Sequence, residues 1–143
     1  MNKVLNVGII GAGRIAKVHA ATLAYRVPTA RVLAIADVNL AAAEQVAAQY
    51  KIPTATADPA AIIADPQIDA VLICSITGTH APFIEAAAAA GKHIFCEKPI
   101  ALALPQIDMA LAAVDKAGVK LQVGFNRRFD ANFRRVRQAV EHG

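Results

Sequence analysis

Short β-branched runs alternate with longer alanine-rich stretches along the chain, and that alternation leaves few folds open. Residues 4–10, 31–36, 54–57, 68–74, 92–96 and 119–125 read as strands. Helical spacing occupies residues 14–25, 39–50, 58–65, 80–90, 104–117 and 131–142. Most of the strand runs are nearly all apolar, as in strands buried on both faces, although Asp69 interrupts the fourth. The connections are too long for hairpins and long enough for helical crossovers. The expected fold is therefore α/β, a doubly wound parallel sheet. Punctuation agrees: Asn39 and Asp58 precede helices as N-caps, Pro59 takes a first helical position, and Gly91 and Gly118 close helices.

A chain of 143 residues has room for one domain, expected to span residues 1–143. With 56% hydrophobic and 18% charged residues it can bury a core, which argues against disorder. No Trp is present and aromatics are 5%, a poor basis for stacking single-stranded nucleic acid. The net charge of +4 is local. Without Arg127, Arg128, Arg134, Arg135 and Arg137 the remainder carries about one negative charge, so the basic segment reads as solvated or partner-facing. No nucleic-acid partner is expected. Cys74 and Cys96 each close an apolar run and read as small buried hydrophobes in a reducing compartment. No leader precedes the first strand, and no apolar run reaches the ~18 residues of a membrane span. A soluble, cytoplasmic protein with no membrane partner is expected. No Cys, His, Asp and Glu spacing suggests a metal, and no nucleophile–base pair suggests acyl transfer.

The first strand runs into Gly11-Ala12-Gly13-Arg14-Ile15-Ala16, a G-x-G-x-x-A turn that opens a helix. Gly11 permits a tight turn, Gly13 leaves room for a pyrophosphate, and Ala16 lets the helix pack closely on the strand. The free N–H groups opening that helix would face the phosphates. Asp37 ends the second strand, at the distance where a carboxylate takes the ribose hydroxyls. Neither Val38 nor Asn39 supplies a cation for a 2′-phosphate. The motif and its context predict a Rossmann domain that prefers NAD to NADP.

Polar groups gather where later strands end: Ser75-Ile76-Thr77-Gly78-Thr79-His80, then Glu97-Lys98-Pro99, then Gly124-Phe125-Asn126-Arg127-Arg128-Phe129-Asp130. With these pieces the whole chain resembles the Gfo/Idh/MocA oxidoreductases, and the arginine pair is most similar to the inositol 2-dehydrogenase branch. The resemblance implies that Lys98 is catalytic, touching the reacting hydroxyl and stabilising its developing negative charge. It implies a Lys–Pro peptide that is often cis, flanked by Glu97 and Pro99. Gly11, Ala12, Gly13, Arg14, Ile15, Asp37, Val38, Ser75, Ile76, Thr77, His80, Glu97, Lys98 and Arg127 become the expected cofactor contacts. Ile76 departs from the family pattern, where proline is common. His19, within the first helix, reads as structural.

In that family the general base is a histidine, assisted by an aspartate, in a second α+β domain that binds substrate and builds a homo-oligomer. This sequence ends about where that domain would begin, so the expected reading is the cofactor half of an NAD-dependent polyol or sugar dehydrogenase, inactive alone. Another sugar dehydrogenase of the family is an alternative. A stand-alone NAD(H) sensor is a second, although it would need no lysine at the nicotinamide end.

Overall fold

The computed structural model describes residues 4–143. The expected direct run from Met1 into the first strand falls partly on residues 1–3, outside the described residues. Strands β1 (Leu5–Ile10), β2 (Ala30–Ala36), β3 (Thr54–Thr56), β4 (Ala70–Ile73), β5 (His93–Cys96) and β6 (Leu121–Val123) alternate with helices. The helices are α1 (Arg14–Arg26), α2 (Leu40–Tyr50), α3 (Pro59–Ala64), α4 (His80–Ala89), α5 (Leu104–Ala117) and α6 (Ala131–His142). All pairings are parallel, in the order β3-β2-β1-β4-β5-β6. The order reverses between β1 and β4, which opens a crevice at the carboxyl ends of those strands.

Apolar side chains alternate between two cores, one on each face of the sheet. Val7 and Ile9 of β1, Ile35 of β2 and Leu72 of β4 meet Ala16, Ala20, Ala43 and Val46 of α1 and α2. Their neighbours Ile10, Ala34, Ala36, Val71 and Ile73 meet Ile62, Ile84, Ala87, Ala110 and Val114 of α3, α4 and α5. This period of two explains why the strands read as unbroken apolar runs. Each fully buried Ile contributes about 1.5–3 kcal/mol. Alanine-faced helices let the layers approach closely. At Gly8 any Cβ would run into Ile62 and Ile68.

The caps follow the sequence. Asn39 accepts from the Ala42 amide and Asp58 from that of Ala60, while Gly118 closes α5 at φ 65°. Strand lengths differ from expectation. β4 begins at Ala70 rather than residue 68, because the Ile68 amide turns back to the Asp65 carbonyl at 3.2 Å. β5 omits Lys92, whose buried ammonium donates to the carbonyls of Asp65 (2.6 Å) and Ile68 (2.8 Å). β6 is shorter at both ends than residues 119–125, and Phe125 lies exposed beyond it. Two 3-10 turns unforeseen in the sequence, Thr77–Thr79 and Asn126–Phe129, follow β4 and β6. Among the described residues no helix is long and apolar enough to cross a membrane.

Candidate functional site

The glycine turn sits at the crevice and is held from three sides. The Gly11 amide donates to the Ala36 carbonyl of β2 at 2.7 Å. At φ 101°, Gly11 also presses so closely on the end of β4 that a Cβ would lie 2.6 Å from the Cys74 carbonyl oxygen. The Ala12 amide donates to Asp37 Oδ2 at 2.7 Å, and the Asn39 amide to Asp37 Oδ1 at 2.9 Å. Asp37 thus holds the turn from the end of β2. Each of its oxygens keeps further acceptor capacity for a ligand hydroxyl.

Gly13 caps α1, and nothing lies within 4 Å of where its Cβ would be. That open space lies in front of the amides of Arg14 and Ile15, which have no partner within the helix. The first turn carries no acidic residue, so no carboxylate of the helix itself offsets the positive end of its dipole. Ala16 behind it is fully buried against the sheet. Space, donors and dipole fit a pyrophosphate.

A cleft of about 310 Å³ opens beside this turn, bordered by Gly11, Gly13, Asp37, Val38, Ser75 and Ile76. Pro59, Thr79 and Phe83 complete its wall, none of them foreseen as site residues. Val38 is 89% and Ile76 76% exposed, so two apolar side chains stand bare at the lip. Such plates suit the faces of a flat heterocycle. Ile76, where the family commonly has proline, is thus an exposed apolar side chain lining this cleft. Thr79 donates to the Ile76 carbonyl at 2.8 Å and shares a hydrogen bond with the Ser75 hydroxyl at 2.7 Å, which fixes the loop. Thr77 lies in the 3-10 turn, half-buried and outside the walls of either cleft. Its carbonyl accepts from the His80 amide.

A second cleft, about 490 Å³, is bordered by Lys98, Phe125, Asn126, Arg127 and Arg128. The structure thus brings Lys98 and Arg127 together from the ends of β5 and β6. Lys98 is exposed, and among the described residues its ammonium has no hydrogen-bond or ion-pair partner. The Lys98–Pro99 peptide is cis. The Arg127 guanidinium stacks 4.4 Å above the centre of the Phe133 ring, an arrangement that steadies it.

Two of the expected contact residues are engaged within the fold. His80 is 2% exposed, and its ring is spent on backbone, with Nδ1 2.7 Å from the Pro99 carbonyl and Nε2 3.0 Å from that of Ser75. It has no ring nitrogen left for a cofactor. The Glu97 carboxylate turns to His19 on α1, with Oε1 2.7 Å from Nε2. The His19 ring also meets Phe95 edge-on at 5.2 Å. Gly124 leaves room for this carboxylate, since a Cβ there would come within 3.1 Å of it. The pairing of His19 with Glu97 has no signature in the sequence, because 78 residues separate the partners. Cys74 and Cys96 are free and buried. Burial, with the Glu97 charge adding to it, pushes the Cys96 thiol up to about 12 and Cys74 in the same direction. Neither is a nucleophile at neutral pH.

Strand order, the glycine turn at the reversal point and the acid ending β2 define a dinucleotide-binding Rossmann domain. The chain belongs to the Gfo/Idh/MocA oxidoreductases. The model of that family, described as an oxidoreductase family with an NAD-binding Rossmann fold, matches residues 5–125. NAD is accordingly the cofactor. The chain is 49% identical over 136 residues to an inositol 2-dehydrogenase from Rhizobium meliloti, covering 95% of this chain and 40% of that protein. It is 47% identical to an uncharacterized oxidoreductase, YrbE, of Bacillus subtilis, covering 100% of this chain and 42% of the relative. Its fold matches the crystal structure of a scyllo-inositol dehydrogenase from Lactobacillus casei with bound NAD(H) and scyllo-inositol. The TM-score is 0.92 at 34% identity, over 99% of this chain and 42% of that one. The chain spans about two fifths of the length of these relatives.

Proposed function

We propose that this chain, a single domain over residues 1–143, is the cofactor half of an NAD-dependent dehydrogenase. Its substrate is a cyclic polyol of the inositol type, whose ring hydroxyl becomes a ketone. The reading is carried by the unpaired Lys98 ammonium at the edge of the second cleft, beside Arg127. NAD, when bound, accepts the hydride. The Gly11–Ala16 turn and Asp37 hold the phosphates and adenosine ribose, and the exposed faces of Val38 and Ile76 flank the adenine. Lys98 stabilises negative charge on the substrate oxygen as its proton leaves, favouring the transition state over the neutral alcohol. The base that takes the proton comes from outside these residues, in the part of the complete protein that also binds the polyol and joins subunits into a homo-oligomer. The relatives named inositol dehydrogenases, and the one solved with scyllo-inositol, support this substrate class.

In the complete enzyme Lys98→Ala lowers kcat by on the order of 100-fold, the effect of removing one preorganised charge, with little change in NAD affinity. Lys98→Arg restores only part of the rate, because a planar fork differs in reach and shape from an ammonium. Steady-state kinetics with myo-inositol measure this, and near-normal kcat in Lys98→Ala would refute the assignment. The 143-residue chain alone binds NAD but forms no NADH from myo-inositol. Turnover by the purified chain would show that the base lies within it.

A further inference from the structure

The two clefts are bordered by different loops, and one buried side chain joins those loops. The first cleft is bordered by Ser75 and Ile76 after β4, the second by Lys98 after β5. His80, at the first position of α4, lies between them at 2% exposure. Its Nε2 contacts the Ser75 carbonyl at 3.0 Å and its Nδ1 the Pro99 carbonyl at 2.7 Å. The α4 framework under it is anchored in the core through Ala81 and Ile84. A carbonyl oxygen only accepts, so the ring N–H donates to one of these carbonyls, the tautomer deciding which, while the other ring nitrogen lies against the second. No other side-chain hydrogen bond links these two loops among the described residues.

We propose that His80 is a positioning residue that sets the spacing between the two halves of the dinucleotide site. The proposal rests on the function given above, in which adenosine lies in the first cleft and nicotinamide reaches the second. A ligand that spans both clefts must match the distance between their edges, and an ångström of slack there costs binding. A ligand confined to the first cleft is indifferent to that distance. The other flank of Lys98 is anchored independently, through Glu97 to His19. Losing the His80 bridge therefore frees the Pro99 side of the turn and the Ser75 loop without undoing the sheet.

The experiment compares two ligands on the 143-residue chain: NADH, which spans both clefts, and ADP-ribose, which lacks nicotinamide. Affinities come from calorimetry, and the emission of bound NADH reports the surroundings of its nicotinamide. His80→Ala is expected to weaken NADH about tenfold, equivalent to about 1.4 kcal/mol, and to leave ADP-ribose within about twofold. His80→Gln keeps a donor group on a side chain of different shape and falls between His80→Ala and the parent. If His80→Ala fails to fold, as circular dichroism would show, His80→Gln carries the comparison. An equal loss for both ligands would make His80 a merely structural residue, and unchanged NADH binding in a folded variant would remove any role. A parent chain that binds neither ligand would instead overturn the functional reading itself.

Discussion

Gly11 and Gly13 stand two residues apart in one motif and have different reasons for being glycine. Gly11 adopts φ 101° and lies against the Cys74 carbonyl, so a side chain there is excluded by the fold itself. Gly13 has an ordinary negative φ and open space where its Cβ would be, so a side chain there is excluded only by the ligand. Gly11→Ala is expected to cost about 2 kcal/mol or more in stability, read by urea denaturation. Gly13→Val is expected to keep the melting temperature within about 3 °C, as a surface change should, while abolishing detectable NAD binding. A Gly13 variant that binds NAD normally would mean that the phosphates do not lie where the turn invites them. The motif in the sequence makes both glycines notable. Only the packing tells them apart.

At the scale of elements, α6 differs from the other helices. None of its residues is buried, and its main packing is against the 3-10 turn before it. Asp130 caps it, accepting from the amides of Asn132 and Phe133, and the Arg137–Glu141 pair adds a helical i,i+4 contact. Local bonds of this kind support a helix by tenths of a kcal/mol, whereas burial anchors it. Deleting residues 131–143 is therefore expected to shift the melting temperature by less than about 3 °C. Amide exchange in α6 should be much faster than in α4. A large loss of stability on deletion would mean that α6 packs on the sheet in solution. Its helical period and its cap are legible in the sequence. Its exposure is not, because exposed Phe133 and Val136 look like core residues until the neighbouring elements are placed.

For the whole molecule, ligand binding and folding are linked. The Gly11–Ala16 turn is fastened to β2 and β4 and to Asp37, so a dinucleotide that contacts it stabilises the junction of both halves of the sheet. NAD at a hundred times its Kd adds about 2.7 kcal/mol, which corresponds to roughly 10 °C in melting temperature for a chain of this size. NADP at the same concentration is expected to shift it much less, since the Asp37 carboxylate would repel a 2′-phosphate and neither Val38 nor Asn39 supplies a cation. Asp37→Ala should narrow the difference between the cofactors and also lower the unliganded melting temperature, because the Ala12 and Asn39 amides lose their acceptor. Equal shifts for NAD and NADP in the parent chain would remove the basis for the preference.

The sequence by itself determined the layered parallel sheet, its crossovers, the glycine turn that opens α1 at the crevice and the lysine at the end of β5. Those features depend on local spacing: apolar runs, caps, and the order of glycine, small residue and acid along neighbouring strands. Tertiary structure alone decided how far the strands extend, since the Ile68 amide bonds the Asp65 carbonyl and the Lys92 amide the Ala87 carbonyl, and neither joins the ladder. It alone turned His80 and Glu97 inward, and it gave His19 a partner 78 residues away. A local pattern shows which residues reach a strand end. Which of them face the cleft depends on whether a carbonyl or imidazole from a distant segment already occupies their polar atoms, and only the folded chain brings those segments together.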